Sequence, residues 1–261
     1  MPIAEVRSGV RLHYVESGEG PALVLLHGLG SSGRDWEQQI PEFARHYRVI
    51  VPDLRGSGES DKPKGPYRIA DFAEDIWALL DTLGIERAHL VGLSMGGATV
   101  FEMAARQSQR VTRLVVVNCG PAFPLNSARA LFEVGMRLLV VRLKGMPKMA
   151  ELVGQRLFPK AEQTALRAEF TRRYAHNNKK HYLWSLRSLP GWTVVERLKN
   201  IQAPALMVAA ENDYTPVAVK QAAVDALPDG ELAVIAGSRH ATPIDSPEVF
   251  NRVVLDFLGR S

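Results

Sequence analysis

The stretch that decides the fold is HLVGLSMGG, residues 89–97, which reads His89-Leu90-Val91-Gly92-Leu93-Ser94-Met95-Gly96-Gly97. A short run typical of a buried strand leads into the pattern Gly-x-Ser-x-Gly, and a helical pattern follows directly. Such a turn holds the serine in a strained conformation, and the flanking glycines remove side chains that would collide with the neighbouring elements. The hydroxyl of Ser94 then projects above the sheet at a helix N-terminus, whose dipole favours negative charge. We therefore predict that Ser94 is a nucleophile.

A serine hydroxyl is a poor nucleophile near neutral pH, so a base must take its proton and a carboxylate must orient that base. Both groups are expected in loops that follow later strands. The loop after the next-to-last predicted strand contains Asp213, and the loop after the last one contains His240. Glu211 is the alternative carboxylate, but Asp213 stands further beyond the strand end. The sequence predicts a catalytic set of Ser94, Asp213 and His240.

Short apolar runs alternate with helical stretches along most of the chain, which predicts a mostly parallel, twisted α/β sheet of about eight strands with helices on both faces. The first two strands form a hairpin. The predicted strands are residues 2–7, 11–16, 22–26, 48–51, 89–91, 114–117, 205–209 and 232–235. The predicted helices are one opened by a capping box of Asp35 and Gln38, then residues 69–83, 96–107, 127–144, 161–174 and 247–258.

At this point the chain resembles the α/β-hydrolase superfamily, in its capped, esterase-like branch of serine carboxylesterases and monoacylglycerol-lipase-like enzymes. The matching features are His27-Gly28, the stretch Asp53-Leu54-Arg55-Gly56-Ser57-Gly58-Glu59-Ser60, the turn at Ser94, Asp213 with Pro216, and His240. Ala210 departs from the glycine frequent in the family. Ala241-Thr242-Pro243 also differs from the aromatic-rich sequence common in the branch that cleaves carbon–carbon bonds, which argues modestly against that reaction.

The resemblance implies an oxyanion hole made by the backbone N–H groups of Leu29 and Met95, with His27 and Gly28 among the residues that contact the substrate. It implies no cofactor, and no spacing of metal ligands is present in the sequence. The expected activity is cleavage of carboxylic esters through an acyl-enzyme at Ser94, on small to medium acyl substrates that include monoacylglycerol-like ones. Enol-lactone hydrolysis, carbon–carbon bond hydrolysis, perhydrolysis and acyl transfer use the same residues and stay open.

A different class of function is suggested by ALVLLHGLGSSG, residues 22–33, whose three glycines match the dinucleotide-binding pattern Gly-x-Gly-x-x-Gly. Asp53 stands where the ribose-binding acid of an oxidoreductase would be expected. A pyrophosphate site needs the helix to begin at the middle glycine, Gly30. The capping box instead predicts a helix that starts at Asp35, so we interpret the loop as part of the oxyanion hole. A catalytically silent binding protein is a further alternative.

Residues 121–190 interrupt the alternation of strands and helices, and we interpret them as a helical cap inserted into a core domain formed by residues 1–120 and 191–261. The cap carries 13 Lys and Arg against 4 Asp and Glu, a net charge of +9, whereas the remainder carries −5. Leu138 and Trp184 are the candidate pocket residues. The nearly continuous apolar pattern of residues 127–144 is expected to line an acyl tunnel. Packing on a partner and contact with anionic lipid are the less favoured alternatives.

The bulk composition is ordinary for a globular protein of 261 residues with a net charge of +4. No apolar run approaches the ~18 residues that a membrane span requires, and the N-terminus does not resemble a secretory signal. A single cysteine, Cys119, cannot form an internal disulfide. We expect a cytoplasmic enzyme that acts on a small molecule and does not bind nucleic acid. The sequence makes no prediction about oligomeric state.

Overall fold

The computed structural model of the chain describes residues 2–6, 9–124 and 128–260. The described strands form one eight-stranded sheet in the order β1-β2-β4-β3-β5-β6-β7-β8. The strands are β1 Ile3–Glu5, β2 Arg11–Ser17, β3 Ala22–Leu26, β4 Arg48–Pro52, β5 Ala88–Leu93, β6 Val111–Val117, β7 Ala205–Ala210 and β8 Gly230–Ile235. Strands β3 to β8 run parallel, and β2 is antiparallel to both β1 and β4. The predicted fold and all eight predicted strands are confirmed.

Helices cover both faces of the sheet. They are α1 Ile40–Phe43, α2 Ile69–Thr82, α3 Met95–Arg106, α4 Ala128–Leu157, α5 Thr164–Ala175, α6 Lys179–Arg187, α7 Val217–Asp225, α8 Thr242–Asp245 and α9 Pro247–Leu258. Side chains alternate between the two faces of a strand. Val24 of β3 accordingly packs in the cluster that contains α2 and α3, whereas Leu25 packs in the cluster that contains Trp36 and Phe257. The sheet therefore lies between two apolar layers.

The first helix does not begin at the predicted position. Ser32 accepts a hydrogen bond from the N–H of Arg34 and caps a short 3-10 turn, Gly33–Trp36, which contains Asp35. The α-helix that follows, α1, has a proline in its first turn. Proline is favoured there because its missing N–H has no partner inside the helix. The predicted capping box is therefore absent, and the chain turns into α1 a few residues later than expected.

Three helices, α4 to α6, lie between β6 and β7, and we call residues 121–190 the helical insertion. The start of the insertion and the segment that directly follows it meet at an antiparallel bridge between Ala122 and Thr193. The rings of Phe123 and Trp192 also pack together there. Helix α4 is kinked at Gly145, whose φ of 77° lies in the left-handed region. The predicted extent of 127–144 therefore covers only the first arm of a longer helix. Helix α6 is absent from the sequence prediction, although Asn178 caps it.

The first arm of α4 is less buried than the sequence suggests. Several of its large apolar side chains are exposed: Leu131, Phe132, Met136, Leu139 and Leu143. Residues spaced by three and four positions share one face of a helix, so Phe132, Met136, Leu139 and Leu143 form a solvent-facing stripe. The expectation that residues 127–144 line an acyl tunnel therefore does not hold for that face, and it stays a prediction only for the opposite face around Val141.

Candidate active site

The turn between β5 and α3 has the predicted strained geometry. Ser94 has φ 80° and ψ −104°, an arrangement that non-glycine residues rarely adopt. Cβ atoms added at Gly92 or Gly96 would collide with the backbone oxygens of Gly96 and Leu26, respectively. The glycines are therefore required by close backbone packing, and the strain is concentrated at the serine.

The three residues predicted as a catalytic set lie together at the carboxyl ends of the strands. Nε2 of His240 lies 2.8 Å from Oγ of Ser94, and Nδ1 of His240 lies 2.5 Å from Oδ1 of Asp213. An ionised carboxylate can only accept hydrogen bonds, so Nδ1 of His240 carries the proton in its contact with Asp213. Nε2 of His240 is then free to accept the proton of Ser94. Glu211, the alternative carboxylate, is exposed and accepts from the N–H of Gly237 instead.

Asp213 has a second charged partner that the sequence did not suggest. The ammonium of Lys220, from α7, donates to Oδ2 of Asp213 at 2.5 Å and to the carbonyl oxygen of Thr215 at 2.7 Å. The side chains of Lys220 and Asp213 are both fully buried. Burial alone would raise the pKa of Asp213, but His240 and Lys220 outweigh it and the net shift of the pKa is downward. The carboxylate is therefore ionised at neutral pH.

Asn118 connects three loops around the site. It follows β6 with φ 49°, and its Oδ1 accepts from the N–H of Ala210 at 2.7 Å. Its Nδ2 donates to the carbonyl oxygen of His240 at 2.9 Å and to Oγ1 of Thr242 at 2.7 Å. Asn118 therefore fixes the His240 loop to the ends of β6 and β7. Asparagine is one of the few residues other than glycine that tolerate positive φ. That tolerance is the only feature of the sequence that points to Asn118 as part of the site.

The imidazole of His240 is also held by an aromatic stack. The ring of Tyr214 lies 4.3 Å from that of His240 at an angle of 24°. The guanidinium of Arg156, from α4, lies 4.1 Å from the centre of the Tyr214 ring. Two groups at this distance cannot share one face of the ring, so Arg156 covers the opposite face. Arg156 is in turn bound by Glu133 at 2.8 Å.

The two predicted oxyanion-hole residues lie on either side of the serine. Met95 is the first residue of α3, where a backbone N–H has no partner within the helix. Leu29 follows Gly28, and a Cβ added to Gly28 would lie 3.6 Å from Cβ of Ser94. Neither the N–H of Leu29 nor that of Met95 has an acceptor among the described residues. Both donors are therefore available to a bound oxygen.

His27, predicted as a substrate contact, is fully buried. Its Nε2 accepts from the N–H of Leu54 at 3.0 Å, and its Nδ1 lies 2.8 Å from the carbonyl oxygen of Gly28. Burial lowers the pKa of His27 and favours the neutral ring. With both ring nitrogens bound to backbone, His27 supports the loop that carries Leu29, and the expectation that His27 contacts the substrate stays a prediction.

The loop of residues 28–33 does not have the geometry of a dinucleotide site. The element that directly follows the glycines in the chain is a short 3-10 turn, Gly33–Trp36, and not a helix that begins at Gly30, as a pyrophosphate site of this pattern requires. Asp53 is buried, and its carboxylate accepts from the N–H groups of Gly33 at 2.7 Å and Glu59 at 2.9 Å and contacts His13 at 3.0 Å. The carboxylate is therefore used to join loops, which argues against the alternative of a nucleotide-binding oxidoreductase.

The two predicted pocket residues lie in different places. Leu138 is half-buried in an apolar cluster, here called the insertion cluster, that joins α4, α5 and α6 to Leu29, Tyr214 and Ala241. Trp184 packs on the loop before α2, with ring contacts to Tyr67 at 5.5 Å and His181 at 4.9 Å. Leu138 therefore lies in the layer next to the Ser94 site. No described contact connects Trp184 with Ser94, Asp213 or His240.

No group of three or more His, Cys, Asp and Glu side chains within residues 2–6, 9–124 and 128–260 is arranged to hold a metal ion. No helix in these ranges combines the length and the apolar character needed to cross a bilayer.

Comparison with known proteins agrees with this architecture. The family model described as alpha/beta hydrolase fold matches residues 21–247. The chain is 31% identical over 254 residues to "Putative carbamate hydrolase RutD" of Azorhizobium caulinodans, with 95% of each chain covered. It is 33% identical over 274 residues to the 2-hydroxy-6-oxononadienedioate/2-hydroxy-6-oxononatrienedioate hydrolase of Paraburkholderia phymatum, with 99% of this chain and 94% of that one covered.

Among solved structures, the enol-lactonase from Burkholderia xenovorans LB400 superposes with a TM-score of 0.92 at 29% identity, over 99% of this chain and 100% of that one. The matched sequence model, the relatives and the shared architecture together support hydrolase activity, and they show that this chain belongs to the α/β hydrolase fold family.

Proposed function

We propose that this protein is a serine hydrolase that cleaves carboxylic esters through an acyl-enzyme at Ser94, with small to medium acyl groups as substrates, monoacylglycerol-like esters among them. The observation that carries the proposal is the position of His240, which lies within hydrogen-bond distance of both Ser94 and Asp213. A serine hydroxyl, an imidazole and a buried carboxylate, hydrogen-bonded in this order, provide the groups needed for acyl transfer without a cofactor.

The reaction follows from the direction of these hydrogen bonds. Oγ of Ser94 attacks the ester carbonyl carbon while Nε2 of His240 takes its proton, and Asp213 stabilises the resulting imidazolium. The N–H groups of Leu29 and Met95 bind the tetrahedral oxyanion. Its collapse breaks the bond to the alcohol oxygen, which receives the proton from His240. Water then attacks the acyl-enzyme by the same path, with His240 as base, and the acid is released.

We further propose that the helical insertion, residues 121–190, acts as a cap over this site on a core of residues 1–120 and 191–261. In its support, Leu138 and Val141 of α4 pack in the same cluster as Leu29, Tyr214 and Ala241 of the core. Leu29 is itself a proposed oxyanion donor, and Tyr214 and Ala241 directly follow the proposed acid and base in the chain. A substrate that reaches Ser94 therefore lies against the inner face of α4, which makes that face a determinant of acyl-group preference.

Lactone hydrolysis is the second candidate, because a lactone is a cyclic ester and needs no other group. The enol-lactonase from Burkholderia xenovorans supports it through its likeness over the whole chain. In a lactone the leaving alcohol stays attached to the acyl group. The two substrate classes are therefore distinguished by pocket shape and not by the catalytic residues.

The experiment is a substrate panel with matched variants. The wild-type protein, Ser94→Ala and a control, Ser17→Ala on β2, are assayed with 4-nitrophenyl esters of increasing chain length, neutral lactones, carbamates and a vinylogous diketone acid that tests carbon–carbon cleavage. We expect ester or lactone hydrolysis in the wild type and the control, a loss of at least about 10³-fold in Ser94→Ala, and fluorophosphonate labelling that disappears only in Ser94→Ala. Hydrolysis retained by Ser94→Ala would contradict the proposal.

A further inference from the structure

Arg137 brings a positive charge into the inner, apolar side of the helical insertion. It lies one turn before Val141, which is fully buried, and next to Leu138, which packs in the insertion cluster. Arg137 is itself partly buried, whereas Met136 and Leu139 on either flank of this face are exposed. The guanidinium therefore points toward the layer between α4 and the catalytic core and not toward the solvent-facing stripe.

The neighbours of this guanidinium are phenol groups. Nη1 of Arg137 lies 3.4 Å from Oη of Tyr182, which also accepts from Oη of Tyr174 at 3.1 Å. Tyr214 is close enough to interact electrostatically with Arg137 as well. One phenol hydroxyl is therefore in contact with the guanidinium, and two more, from two other segments, lie within the range of its charge.

No carboxylate neutralises Arg137 within the described part of the chain, where none lies within 4.0 Å of its guanidinium. Arg156, on the second arm of the same helix, differs because Glu133 binds it. A guanidinium is charged at every working pH, and a charge that is removed from water without a counter-ion is costly. In addition, the hydroxyl oxygen of Tyr214 is buried without a described hydrogen-bond partner. The cluster therefore has donors and a positive charge but lacks an anionic acceptor.

This cluster lies beside the reacting groups. The ring of Tyr214 stacks on His240 at 4.3 Å. The ring of Tyr174 lies directly against Gly30, where an added Cβ would collide with it, and Gly30 follows the proposed oxyanion donor Leu29. An anion bound by Arg137 would consequently belong to the same molecule whose carbonyl group reaches Ser94.

We propose that Arg137, with the hydroxyl of Tyr214 as a second donor, binds an ionised carboxylate carried by the substrate in addition to the scissile ester. This inference rests on the proposed function and names its substrate class: half-esters of dicarboxylic acids, or lactones with a carboxylate side chain. The planar fork of a guanidinium matches the two oxygens of a carboxylate, and such charge-assisted pairs are the stronger class of hydrogen bonds.

The test compares two probes of equal length, mono-4-nitrophenyl glutarate, which is anionic, and 4-nitrophenyl pentanoate, which is neutral. They are assayed with wild type, Arg137→Gln, Tyr214→Phe and a control, Arg142→Gln, which removes an exposed charge from the same helix. For Arg137→Gln we expect kcat/KM to fall by about 10- to 100-fold on the anionic probe and to stay within about twofold on the neutral one. Tyr214→Phe keeps the ring on His240, and its loss of kcat/KM is expected to be a few-fold larger on the anionic probe than on the neutral one.

Equal losses on both probes in Arg137→Gln, or no loss on either, would overturn the assignment, since the first indicates a structural role and the second no role. A wild type that prefers the neutral probe by more than about tenfold would also overturn it. Thermal unfolding of each variant separates misfolding from loss of the contact. Ser94→Ala separates the two proposals: if it abolishes hydrolysis of both probes while Arg137→Gln does not discriminate between them, only the carboxylate subsite is wrong.

Discussion

The ammonium of Lys220 lies 2.5 Å from Oδ2 of Asp213, on the opposite side of the carboxylate from His240, and both side chains of this ion pair are fully buried. The carboxylate that orients the base is therefore shared between two cationic partners. Its orientation is set by a helix, α7, that supplies no other group to the site. We expect this relationship to control both the stability of the site and the pH range of activity.

Replacement of Lys220 by methionine, which has a similar shape without the charge, is expected to destabilise the fold by about 3 kcal/mol, because it leaves a buried carboxylate with one partner fewer. The measurement is urea unfolding near pH 7. The pKa of Asp213 is lowered in the folded state, so the carboxylate contributes stability above the ordinary pKa of aspartate and loses it as the pH falls below that value. The destabilisation in Lys220→Met should therefore shrink toward pH 3. A difference that stays constant with pH would contradict the ion pair as its source.

The same variant should shift the pH profile of kcat/KM. Lys220 is one of the two groups that lower the pKa of Asp213, so without Lys220 the carboxylate takes up a proton at higher pH and no longer accepts from Nδ1 of His240. We expect the acid limb of the profile to move to higher pH. Lys199→Met, which removes an exposed charge far from Asp213, is the control and should leave the profile unchanged.

Asn118 provides a test of how rigidly the base is held. Asn118→Ala removes four side-chain hydrogen bonds to the loops of Ala210 and His240 and places alanine at a positive φ of 49°. Asn118→Gly removes the same hydrogen bonds but relieves the backbone strain. We expect Asn118→Ala to lower the free energy of unfolding by about 2 to 4 kcal/mol. The decrease in Asn118→Gly is expected to be about 1 kcal/mol smaller. Both should lower kcat more than they raise KM, because His240 loses its anchor in each.

The carboxyl group of Asp35 is expected to change folding stability with pH in the direction opposite to that of Asp213. Its carboxyl accepts a short hydrogen bond from Ser31, and burial raises the pKa of Asp35 to about 7. A raised pKa means that the folded state binds a proton which the unfolded state has released, so stability falls as the pH rises from about 4 to 7. Asp35→Asn should remove this slope and stabilise the protein by about 1 to 3 kcal/mol at pH 8 relative to wild type. Thermal unfolding from pH 5 to pH 8 is the measurement, and an unchanged slope in Asp35→Asn would contradict it.

Much of the site could be predicted from the sequence because parallel strands deliver their following loops to one edge of the sheet. Ser94, Asp213 and His240 each follow one of the parallel strands β5, β7 and β8, so their meeting point follows from topology alone. Lys220 could not be predicted in this way. It lies within a helix, and only the tertiary position of α7 turns its side chain toward Asp213 and not toward solvent.

The inner face of α4 was equally inaccessible to sequence reasoning. Nine of the thirteen positions in residues 131–143 are apolar, so periodicity does not show which residues face the core. The structure shows Val141 inside and Leu143 outside, and it turns Arg137 inward although charged residues usually mark the solvated face. An inward cation is visible only after the helix is docked, so the sequence makes no functional prediction for Arg137.

The orientation of α4 can be tested by polar substitutions on its two faces. Leu143 is 70% exposed, so Leu143→Ser should change the free energy of unfolding by less than about 0.5 kcal/mol. Val141 is fully buried in the insertion cluster, so Val141→Ser should destabilise by about 2 to 3 kcal/mol through lost burial and an unpaired hydroxyl. Urea unfolding of the two variants is the measurement. Activity gives a second readout: if the insertion acts as the proposed cap, Val141→Ser should alter the preferred acyl length, whereas Leu143→Ser should not. If Leu143→Ser proved the more destabilising of the two, the face that α4 turns toward the catalytic core would have to be reversed.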